Sequence, residues 1–130
     1  MPLPPRLFLP VTFHVLPMSK PRISIEDFSK IEVQVGTVRS AERVPETDKL
    51  LRLVVDFNET TGPRQIISGI APYVPEPEAL VGRQLAFVTN LEPRTIRGLE
   101  SNGMLFAVGA GESFAFLTPD REVPPGTGAH

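Results

Sequence analysis

The sequence predicts a small all-β barrel. Three observations carry this: five or six short stretches with strand-like patterning, turn-forming clusters spaced regularly between them, and helical signals too short to form a layer of their own. At 130 residues the chain has room for one domain with a modest core.

The domain is expected to span residues 22–130. Six of the fifteen prolines fall within residues 1–21, so that segment reads as a disordered Pro-rich tail. A signal peptide fits it poorly, because its one early charge is Arg6, prolines break its apolar run and no small-residue cleavage site follows. Sequence upstream of a start at Met18 is the other reading. Ser24 and Asp27 form a capping-box pattern that opens a helical turn over Ile25 to Lys30. From Ile31 the period changes to two. Ile31, Val33, Val35 and Val38 make a long first strand, with a bulge or bend expected at Gly36. ERVPETD (Glu42 to Asp48) is a loop. Leu51, Leu53, Val55 and Phe57 are the apolar face of a second strand, NETTGP (Asn58 to Pro63) is a hairpin loop, and the third strand runs from Arg64 towards Ser68-Gly69. A short helical turn is expected near Pro77 to Leu80. Gln84 to Thr89, Met104 to Val108 and Phe114 to Leu117 supply the remaining strands, and Pro119 to Thr127 closes the chain in an extended form. A helical piece between the third and fourth strands is the OB-fold arrangement, although a five-stranded SH3-like barrel would give a similar pattern.

Bulk properties exclude several functions. Net charge is −2, so any nucleic-acid surface must be a local basic patch on an acidic body. With no cysteine, and with its two histidines at His14 and His130, the chain offers no thiolate chemistry, no expected metal site and no histidine base. No cofactor is expected, no apolar run is long enough to span a membrane, and a cytoplasmic location is expected. Neither a paired acid and base nor a phosphate loop is visible, so the chain reads as a binder and not an enzyme.

The most informative stretch is NLEPRTIRGLESNGM, Asn90 to Met104. It places Arg94 and Arg97 on a bendable hairpin between two apolar runs. The plain alternative is a solvated hairpin whose arginines pair with Glu92 and Glu100. Together with IEDFSKIEVQVGTV, RQIISGIA, LVG and PDREVPPGT, in that order along the chain, this stretch resembles the tRNA-binding domain family. That family includes the C-terminal module of methionyl-tRNA synthetases and stand-alone dimeric tRNA-binding proteins. The resemblance runs from about Ile25 to Thr127.

The resemblance implies an OB-fold five-stranded barrel with short helices and a C-terminal extension that supports a homodimer. It also implies tRNA bound by shape and phosphate contacts, and a possible aminoacyl-tRNA synthetase partner. The RNA-binding residues it points to are Asn90, Arg94, Arg97 and Ser101, with Arg39, Lys49 and Arg52 as a second basic group and Ser68 at a family position. Asn102, Glu92 and Thr95 depart from the family pattern and thin the positive charge. A dimeric peptide-binding chaperone branch shares the fold and is the alternative. A detached synthetase domain is a third reading. For Met104 the two readings are contact with a flipped base and core, and as an apolar strand residue it is expected in the core.

Overall fold

A computed structural model describes residues 19–130. The expected tail lies outside the described residues as far as Met18. Ser19 to Ile23 carry no regular structure and are exposed. Helix α1, Ile25–Phe28, is one turn long, and Ser24 Oγ caps it by accepting from the Asp27 N–H at 3.0 Å.

Strand β1 (Val33–Arg43) organises the barrel. Its first half pairs antiparallel with β4 (Gln84–Val88), and its second half with β2 (Leu51–Asp56). The other strands are β3 (Arg64–Ser68), β5 (Arg94–Ile96), β6 (Leu99–Ser101), β7 (Met104–Leu105), β8 (Ala107–Val108), β9 (Ala115–Phe116) and β10 (Gly128–Ala129). The principal sheet runs β3-β2-β1-β4-β7, and β10 adds to the start of β1. This is the predicted all-β OB barrel. Two 3₁₀ turns, Ala71–Tyr73 and Pro77–Leu80, stand between β3 and β4; the second is the short helical turn expected there, and the first was not expected. They close one end of the barrel with Val74 and Leu80, both buried.

The period-two reading of β2 holds in detail. Leu51, Leu53, Val55 and Phe57 are buried, and Phe57 meets Phe87 edge to face at 5.5 Å. Gly36 has a different role from the one expected. The register of β1 against β2 shifts between Val38 and Ser40, leaving Arg39 as the bulged residue. Gly36 is regular strand, and a Cβ there would overlap Val55 Cγ1 and stand 2.7 Å from Phe57 Cε1. It is glycine because the core passes directly over it.

The run Met104 to Val108 is not one core strand. It splits into β7 and β8, and Met104 and Phe106 are 42% and 44% exposed. Their side chains point out of the barrel, onto an apolar face shared with Phe28, Ile31 and Leu91.

Candidate nucleic-acid interface

The stretch Asn90 to Met104 is a hairpin, as its sequence suggests. Arg94 pairs with Ser101, Thr95 with Glu100 and Ile96 with Leu99. The two turn residues are Arg97 and Gly98, with φ of 52° and 79°. Positive φ at both is the signature of a type I′ turn, whose twist matches the strands it joins. Glycine suits its position. Arginine does not, since left-handed backbone costs a non-glycine residue about 1 kcal/mol.

The hairpin is held to the edge of β3. The Asn102 N–H donates to Gln65 O at 2.8 Å, and Gln65 Nε2 donates to Glu100 O at 2.8 Å. Ser101 is buried, and its Oγ accepts from the Ile67 N–H at 3.0 Å while donating to Gly103 O. Asn90 holds the root of the hairpin. Its Oδ1 accepts from the Glu32 N–H at 2.9 Å and its Nδ2 donates to Lys30 O at 2.6 Å. The structure therefore commits Ser101 and the Asn90 amide to backbone partners.

Docked in this way, the tip faces the β1–β2 loop. Thr47, Asp48, Lys49 and Leu50 line one side of an open cleft of about 450 Å³, and Ile96 and Arg97 line the other. These two loops flank the sheet face that OB barrels use for oligonucleotides. Among the described residues, no carboxylate lies within ion-pair distance of Lys49, Arg94 or Arg97. Pairing of the hairpin arginines with Glu92 and Glu100 is not observed. All three cations are exposed.

Arg39 and Arg52 lie on the outer face of the sheet, and both are paired. Arg39 Nη2 meets Asp56 Oδ2 at 2.8 Å. Arg52 donates to Gln65 Oε1 at 2.6 Å and Glu42 Oε2 at 3.0 Å. The Asp56 carboxyl is held below its usual range, first by the Asn58 N–H and then by Arg39. Ser68 ends β3 opposite Leu51, half-buried at the same end of the barrel as the cleft. The structure thus brings Lys49 and Arg97 together, puts Arg94 on the same hairpin, and neutralises Arg39 and Arg52 in part.

Arg64 escaped sequence reasoning as anything beyond a strand residue. It sits 5.3 Å above the Phe57 ring and forms a two-pronged pair with Glu59, at 2.9 and 2.7 Å. Its Nη1 donates to Thr89 O at 2.7 Å and, at longer range, to Asn102 O at 3.4 Å. Hydrogen bonding from Arg64 holds the Glu59 carboxyl low against the opposing effect of burial. Its one advance signal was a basic residue at the start of a strand directly after a hairpin loop.

Residues 33–128 match the family model described as "Putative tRNA binding domain". The methionine–tRNA ligase of Methanoregula boonei is 50% identical over 107 residues, which are 82% of this chain and 15% of that protein. The chain therefore spans only a small part of the curated relatives it matches. Among solved structures, a MetRS related protein from Pyrococcus horikoshii superposes with a TM-score of 0.77 at 35% identity, covering 85% of this chain and 100% of that one. The chaperone CsaA of Bacillus anthracis superposes at 0.72 and 30% identity, covering 85% and 100%.

Proposed function

This chain belongs to the tRNA-binding domain family, and we propose that it binds tRNA through the cleft between the β1–β2 loop and the β5–β6 hairpin. The observation that carries this reading is the juxtaposition of Lys49 and Arg97 across the cleft with, among the described residues, no carboxylate paired to either. Lys49, Arg94 and Arg97 neutralise phosphates, so binding weakens as salt rises. Arg39, Arg52 and Ser68 extend the surface along the sheet, with the two arginines contributing less because Asp56 and Glu42 already offset their charge. Phosphate contacts carry little sequence information, so recognition follows the shape of the folded RNA.

The role is binding and not catalysis: an accessory to aminoacylation or tRNA handling in the cytoplasm, with an aminoacyl-tRNA synthetase as protein partner. The protein works as a homodimer. Phe28, Ile31, Leu91, Met104 and Phe106 are each 42–53% exposed around one apolar groove of about 410 Å³, and a second copy covers it.

The same groove supports a second reading, a chaperone that takes apolar peptide there, in keeping with the likeness to CsaA. Sequencing the RNA that co-purifies with the protein tests the first reading. Enrichment of tRNA over other cellular RNA is expected. Equal recovery of all RNA classes, together with suppression of aggregation of an unfolded protein, would favour the second.

A further inference from the structure

The hairpin leaves the barrel at Thr89 and returns at Asn102. Both of those carbonyls accept from one nitrogen, Nη1 of Arg64, at 2.7 and 3.4 Å. The other two nitrogens of the same guanidinium are taken by Glu59, from the loop between β2 and β3. Thr89 is itself fixed, because its N–H and hydroxyl donate to Glu32 O and Glu32 Oε1 at 2.9 and 2.6 Å. A planar group with its donors in a fixed fork can tie two chain ends at once, which an ammonium cannot do. Arg64 is also largely covered, its side chain 16% exposed, so it is poorly placed to meet phosphate itself.

From this geometry we infer that Arg64, held by Glu59, is a positioning residue for RNA binding that sets the pose of the hairpin carrying Arg94 and Arg97. The inference rests on the tRNA-binding reading above and extends it to a pair outside the cleft. The guanidinium fixes the root, the Ser101 and Gln65 bonds fix the returning strand, and Arg97 is thereby delivered opposite Lys49. The ordering cost of the hairpin is met on folding instead of on binding.

Glu59→Gln separates positioning from simple charge. The change removes a negative charge from the protein that meets the RNA, so long-range electrostatics alone predicts tighter tRNA binding. Positioning predicts roughly three- to tenfold weaker binding, with an unchanged salt slope because no phosphate contact is lost. It also predicts faster amide hydrogen exchange at Arg94 to Ser101 with β1 and β2 unaltered, a readout that needs no RNA. Arg64→Lys keeps the charge but not the fork, and it should reproduce both effects. Equal or tighter binding by Glu59→Gln, with hairpin exchange unchanged, overturns the inference while leaving the tRNA reading intact. A parent protein that binds no tRNA ends both.

Discussion

Lys49 and Arg97 line one cleft from two different loops, and neither has a carboxylate partner among the described residues. A chain of net charge −2 thus has two cations without a carboxylate partner, among the described residues, on loops of the kind OB barrels use for binding. Lys49→Ala should therefore weaken tRNA binding by about 1 kcal/mol and lower the salt slope by about one. Arg52→Ala should cost less, since Glu42 already engages that guanidinium. Titrations of the two variants side by side check the order.

Arg97 at positive φ makes stability and binding pull in opposite directions. Arg97→Asn suits a type I′ turn better and should stabilise the hairpin by up to about 1 kcal/mol. The same change removes a phosphate contact and should weaken tRNA binding. A thermal melt and a binding curve on one preparation decide the matter. A variant that is both less stable and weaker would show that the turn tolerates arginine without strain.

Gly36→Ala should destabilise the barrel by about 1–3 kcal/mol, because the new methyl group overlaps Val55 and crowds Phe57. Urea unfolding gives the figure. RNA binding at a temperature where the variant remains folded should be unchanged, since Gly36 lies far along β1 from the loop that forms the cleft.

Glu59 ties stability to pH. Its carboxyl titrates below the ordinary glutamate range in the folded state because Arg64 hydrogen-bonds the charged form. Its contribution is thus fully present above the unfolded pKa and is lost as pH falls through the depressed folded value. Urea midpoints measured from about pH 6 down to about pH 3 should fall less steeply for Glu59→Gln than for the parent.

Placing charge on the apolar face should separate the protomers. Phe28→Glu with Phe106→Glu should give a folded monomer by light scattering, because both side chains are about half exposed and support no core contact. Deleting Pro119 to His130 would not be an equivalent test. The family resemblance implied an extension serving the dimer. In the structure Gly126 and Thr127 bond Val35 on both sides, and β10 pairs with β1, so the deletion removes part of the barrel.

The sequence was most legible where one physical signal dominated. Alternation marked the buried face of β2 residue by residue, and the Ser24 cap marked the helix start. The hairpin stood out as two arginines and two glycines between apolar runs. It was less legible where a residue's role depends on what packs beside it. Gly36 looked like a bulge because a glycine in a strand signals either a bend or a close approach, and only the position of Phe57 distinguishes them. Met104 looked like core because periodicity cannot report that Phe106 interrupts the strand. The backbone bonds of Asn90 and Ser101 were not foreseen, because a polar side chain on a hairpin gives no sign that backbone will claim it. Arg64 drew no attention for the converse reason: its partners, Glu59, Thr89 and Asn102, converge only in space.

The central claim is that tRNA binds at the hairpin and cleft by neutralising phosphate. A filter-binding titration of folded tRNA at two salt concentrations, with the parent and the Arg94→Ala, Arg97→Ala double variant, tests it most directly. The account predicts salt-sensitive binding by the parent. For the double variant it predicts affinity lower by about 2 kcal/mol, a salt slope smaller by about two and an unchanged melting temperature. Binding by the double variant that matches the parent at both salt concentrations would contradict it, and so would a parent that fails to bind folded tRNA at low salt.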